Sequence, residues 1–125
     1  MIFSPTKIKK SFSCALIGLK EIFFQQNFLL MVAMGAGAIF LGFFFGISYF
    51  EWLILIFLIG FILVLEALNT IWEKILDFLE PKVSEKIRCV KDMLAGGVLI
   101  SCFFSIILGG LIFLPKIIIF FKNLK

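Results

Sequence analysis

The chain has 125 residues, of which 62% are hydrophobic and 18 are phenylalanine, with a formal net charge of +4. A mean hydropathy of +1.18 excludes a soluble domain and indicates a small integral membrane protein. The basic residues stand at the ends of apolar runs, so the positive balance reads as topology and phosphate attraction, with no nucleic acid among the expected partners.

Residues 4–26 open with a cap signal, Ser4 followed by Pro5, and carry Ile8, Phe12, Ala15, Leu16, Leu19 and Phe23 at helical spacing. Lys7, Lys9, Lys10 and Lys20 take much of the remaining face, which predicts an amphipathic helix lying on the membrane surface. A signal peptide is disfavoured, because charge interrupts the apolar residues and no small-residue cleavage pattern follows. Residues 28–47 are uncharged and long enough for a first span. Within it, Ala33, Gly35, Ala36, Gly37 and Ala38 would let a second helix approach closely.

After a short connection at residues 48–51, Trp52 begins a second span whose helix is expected over 52–79, with Pro81 ending it. A polar, basic connection follows over residues 81–91. A third span is expected over 92–114, with Pro115 and Lys116 marking its far end. The expected fold is therefore a single all-α membrane domain of three transmembrane helices plus a surface helix. With the N-terminus in the cytoplasm, nine basic residues from Lys7 to Lys91 lie inside and Lys116, Lys122 and Lys125 outside, as the positive-inside rule requires.

The second span is interrupted by polar residues. At about 100° per residue, Glu66, Asn69, Thr70, Glu73 and Asp77 fall within about 100° of one another and form one stripe. If Trp52 marks one interface, Glu66 lies roughly 21 Å into a core about 30 Å thick, and Glu73 emerges near the opposite boundary. An intramembrane carboxylate is a functional group by default. A second polar knot, Lys91 and Asp92, is followed by Ala95, Gly96 and Gly97, where a ligand or neighbouring backbone can come close.

No histidine is present. Proton transfer must then use carboxylate, lysine or water, and a metal site must be built on oxygen, which favours Mg²⁺. Cys14, Cys89 and Cys102 are odd in number and lack CxxC spacing, so they read as free thiols. Carboxylates for Mg²⁺, a cation for a transferred phosphate and a base near an acceptor hydroxyl are what phosphoryl transfer needs. Nothing matches GxxxxGK[ST], which excludes a Walker-type nucleotide site. A small proton-coupled transporter using Glu66 alone is the alternative, and it leaves the other polar residues without a task.

The series Glu66, Asn69, Thr70, Glu73, Asp77, then Lys91, Asp92, Ala95 and Gly96, closely resembles the signature of prokaryotic diacylglycerol kinases and undecaprenol kinases. The likeness runs over nearly the whole chain, including Ser11, Phe12, Ala15, Gly18, Asn27 and Phe28. The stretches EWLIL from Glu51 and GLIFLPK from Gly110 look closer to the undecaprenol-kinase branch. The resemblance implies a homotrimer in the bacterial inner membrane, with active sites between subunits, that phosphorylates diacylglycerol or undecaprenol with ATP and Mg²⁺.

It also implies roles. Glu66 would be the general base and Asn69 would orient the reacting groups. Glu73 would bind Mg²⁺, Lys91 would neutralise the β and γ phosphates, Asp92 would orient that lysine or hold nucleotide, and Asp77 would serve the nucleotide side. Family members usually carry a metal-binding glutamate just before the Asn-Phe pair, where this chain has Gln25 and Gln26. Glutamine offers a neutral oxygen only, and Glu21, one turn earlier, is a substitute. Leu29 and Met31 replace the usual Arg and His. A member that has lost catalysis through Gln25 is a third reading.

Overall fold

The computed structural model describes residues 3–80, 82 and 84–125. The described residues form four helices: α1 (Pro5–Phe23), α2 (Gln26–Phe45), α3 (Tyr49–Leu79) and α4 (Glu85–Asn123). The last three are each long and apolar enough to cross a bilayer, making this a multi-pass membrane protein. Large apolar side chains such as Phe43, Phe57, Leu99 and Ile106 point outward along them. Such exposure is what a hydrocarbon solvent permits.

The turns follow from local chemistry. α2 ends at Gly46, whose φ of +63° is open to glycine, and the Ile47 amide returns to the Gly42 carbonyl at 3.2 Å. Ser48 then caps α3, its hydroxyl oxygen accepting from the Glu51 amide at 3.3 Å. Ser84 caps α4 in the same way, accepting from the Ile87 amide at 3.3 Å. The basic stretch expected as a connection is thus already helical from Glu85. Pro81, expected to end the second span's helix, lies outside the described residues.

At its far end α4 does not stop at Pro115 but runs through it to Asn123. Proline removes one hydrogen bond, to the carbonyl four residues earlier, and membrane helices tolerate that loss where neighbours or side chains compensate.

α2 packs on α3 through glycine. A Cβ on Gly35 would lie 2.9 Å from Ile59 Cγ2, and one on Gly42 would lie 2.7 Å from Trp52. The seven-residue step from 35 to 42 is matched by the seven-residue step from 59 back to 52, so the two antiparallel helices keep one register. Gly37, in the expected small-residue cluster, faces open space. The apolar core is Ile47, Leu55, Ile112 and Phe113, with Phe45 and Trp52 against it. It lies at the end of the bundle where α2 turns into α3.

Two ion pairs tie α3 to α4. Glu51 meets Lys116 at 3.2 Å, and Asp77 meets Lys91 at the other end. The pairs are separated by 26 positions along α3 and 25 along α4, which is one continuous antiparallel register.

Gly42→Ala should therefore destabilise the bundle by about 1–3 kcal/mol, the usual cost of overpacking. Gly37→Ala should leave stability unchanged or slightly raised. Reversible unfolding in detergent distinguishes the two; equal effects would contradict the α2–α3 packing.

Candidate active site

Away from the apolar end, the residues that α3 buries are polar. Glu66 is 3% exposed, and Asn69 and Thr70 are 7% each. Glu73 is half-buried and Asp77 is exposed. Burial thus falls along the stripe from Glu66 to Asp77, as expected where a helix leaves the bundle for an aqueous boundary.

The two registers give the residues that lie level with Glu66. Seven residues beyond the Gly35–Ile59 contact, Phe28 of α2 comes level with Glu66, and Phe28 is itself buried. Fifteen residues in from the Glu51–Lys116 pair, Ser101 of α4 comes level with Glu66, and it too is buried. The Ser101 hydroxyl donates to the Val98 carbonyl at 2.6 Å. Its oxygen lone pairs remain free to accept.

The same α2 register puts Gln25 level with Asn69. Gln25 is the N-cap of α2, half-buried, and its side chain makes no capping bond. Beyond that level α2 has ended and α3 continues for about three turns with α4 beside it, so Glu73 and Asp77 have less cover than Glu66. Phe23 and Phe28 meet edge to face at 5.0 Å and pin the α1–α2 turn beside this end. Glu21 is exposed on α1.

Asn69 Nδ2 reaches Glu73 Oε1 at 3.5 Å, at the limit of a hydrogen bond. Its Oδ1 is buried with no partner. A buried acceptor left unpaired costs about 1–3 kcal/mol, so this oxygen is held ready for a donor or a cation. Lys91 is held by Asp77 across the α3–α4 interface, and Asp92, to which the resemblance gives either orientation of that lysine or contact with nucleotide, is an exposed residue of α4. Carboxylate and lysine are 63% and 34% exposed, so the pair positions more than it stabilises. Two N–H donors remain on Lys91 for phosphate oxygens.

Among the described residues, no three acidic or cysteine side chains gather closely enough to cage a metal ion. Mg²⁺ delivered on a nucleotide needs only one or two protein carboxylates besides phosphate oxygens and water. Glu73 and the unpaired Asn69 Oδ1 fit that mode. Helical periodicity in the sequence does not single out Ser101 or the Glu51–Lys116 pair. The signal for the first was a serine inside an apolar span, and for the second, opposite charges at matching span ends.

The sequence model of the prokaryotic diacylglycerol kinase family matches residues 13–113. An undecaprenol kinase of Bacillus subtilis (strain 168) is 37% identical over 93 residues, which cover 74% of this chain and 76% of that protein. No solved structure matches.

Two stability outcomes follow. Asn69→Leu should hold or raise stability by about 1 kcal/mol, because it removes an unpaired buried oxygen. A double-mutant cycle on Asp77 and Lys91 should give a coupling under about 1 kcal/mol. Unfolding in detergent measures both; a marked loss from Asn69→Leu would show that Oδ1 is already satisfied.

Proposed function

The chain belongs to the prokaryotic diacylglycerol kinase family and is a lipid kinase, and we propose that it phosphorylates undecaprenol with Mg²⁺-bound ATP as donor. The observation that carries this reading is the buried Glu66 on the same helix face as the half-buried Glu73. One carboxylate serves a lipid hydroxyl and the other a water-soluble nucleotide. The choice of undecaprenol draws on the name of the Bacillus relative and on the EWLIL and GLIFLPK stretches.

In this mechanism the acceptor hydroxyl enters from the hydrocarbon side and hydrogen-bonds to Glu66. Glu66 takes the hydroxyl proton as the oxygen attacks the γ-phosphorus, and the bond to the ADP oxygen breaks. Asn69, between the two carboxylates in sequence and level with Gln25, orients the reacting groups. Lys91 donates to the β and γ phosphate oxygens while Asp77 holds its ammonium in place, and Asp92 contacts nucleotide. Mg²⁺, when bound, neutralises phosphate charge. Glu73 and Asn69 Oδ1 are the oxygens offered to it, with Gln25 as a neutral third and Glu21 in reserve.

Assembly and topology belong to the same proposal. The chain works as a homotrimer with shared sites, a reading supported by the broad apolar faces that its spanning helices leave uncovered. α1 lies along the membrane surface: none of its described residues is buried, and Phe12 and Leu16 stand exposed beside its lysines. The basic end faces the cytoplasm of the bacterial inner membrane, where ATP is present. The transporter reading is set aside by family membership.

Glu66→Gln should leave assembly intact and lower transfer of γ-phosphate label to undecaprenol by about a hundredfold or more. Lys91→Gln should raise the KM for ATP about tenfold, the loss expected for a hydrogen bond to a charged group. Offering the purified protein a panel of lipid alcohols tests the acceptor: undecaprenol should be used well above diacylglycerol. Retained turnover in Glu66→Gln would remove Glu66 as base, and preference for diacylglycerol would reverse the acceptor assignment.

A further inference from the structure

At the end of the bundle remote from Glu66, two apolar furrows run side by side, one between the start of α3 and the later half of α4 and the other along α4 itself. One, of about 310 Å³, is walled by Ile54, Leu108 and Ile112 and topped by Glu51 and Lys116. The other, of about 420 Å³, is walled by Ile106, Ile107 and Gly110. Leu111 and Pro115 line both and form the ridge between them.

The polar groups at the head of these furrows are incompletely paired. Glu51 Oε1 accepts from Lys116 at 3.2 Å and from the Ser48 hydroxyl at 3.0 Å, while Oε2 is buried with no partner. The terminal carboxylate torsion is soft, so either oxygen can be turned toward the furrow. Pro115 has no N–H to give to the Leu111 carbonyl, so that acceptor also lacks its helical donor. Lys116 spends one donor on Glu51 and keeps two. The head of the site therefore offers two acceptors that need N–H donors, beside an ammonium that needs an anion.

We propose that this is a binding site for a two-chain glycerophospholipid whose headgroup carries a primary ammonium, as in phosphatidylethanolamine. Charge complementarity selects the headgroup. Its phosphate accepts from Lys116, and its ammonium donates to Glu51 and to the Leu111 carbonyl. The paired furrows select the tails, one on each side of the Leu111–Pro115 ridge. They run from the level of Lys116 toward Leu108 and Ile107, about 12 Å along α4 and toward the middle of the helix. The site shares no residue with the proposed kinase site and does not depend on that assignment.

The test uses the delipidated full chain in detergent, offered equal amounts of phosphatidylethanolamine and phosphatidylcholine with identical acyl chains, with retained lipid counted by native mass spectrometry. Choline's quaternary ammonium has no N–H to donate. Phosphatidylethanolamine should be retained about tenfold over phosphatidylcholine, as one hydrogen bond to a charged group implies. Glu51→Gln should bring the ratio to about one, and Glu66→Gln should leave it unchanged. Equal retention by the unaltered chain would overturn the site, whatever the variants do. So would a preference that survives Glu51→Gln, or displacement of phosphatidylethanolamine by phosphatidylglycerol.

Discussion

The alignment of α3 against α4 is the constraint on which the rest of this molecule depends. Hydrocarbon supplies no water to drive helices together, so close packing and polar contacts must set how they meet. Here the two ends are set by Glu51 with Lys116 and Asp77 with Lys91. A slip of one turn would break both pairs and move Glu66 away from the level of Ser101. The glycines of α2 set the second register, and the two together bring Phe28 and Ser101 level with the buried Glu66.

This alignment divides the bundle into two chemically distinct ends. Aromatic and branched side chains close the end where α2 turns into α3, with Phe45 near Phe113 at 6.3 Å and Phe43 against Trp52 at 4.8 Å. The other end buries oxygen and nitrogen. An unpaired Asn69 oxygen and a covered Glu66 make that end less stable than an apolar packing of the same shape. The apolar end, whose packing needs no catalytic groups, offsets this. Such a division suits an enzyme that must hold reactive groups in place while a long lipid enters and leaves.

Much of this was legible in the chain. The stripe from Glu66 to Asp77 follows from helical periodicity, and its graded exposure follows from the length of α3 beyond the start of α2. Local capping at Ser48 and Ser84 belongs to the residues themselves. What could not be read was any choice of partner across helices. That Lys91 meets Asp77 depends on interhelical register, which periodicity within one helix does not specify. Gly35 packs and Gly37 does not because only one of them faces α3. Pro115 suggests a helix end by propensity, yet α4 continues, because in a membrane an unravelled backbone costs more than one missing hydrogen bond. Gln25 departs from the family pattern, and its place at the level of Asn69 depends on the α2–α3 register, which the sequence of one helix does not specify.

The most direct test of the alignment is a cross-link placed between the two ion pairs and away from the proposed catalytic groups. In a chain freed of Cys14, Cys89 and Cys102, cysteines at Ile62 and Ser105 lie level with each other, whereas Ile62 and Val98 are offset by about two turns. A short bifunctional thiol reagent should join the first pair and not the second. Joining of Ile62 to Val98 in preference to Ser105 would contradict the register, and with it the placement of Ser101 opposite Glu66.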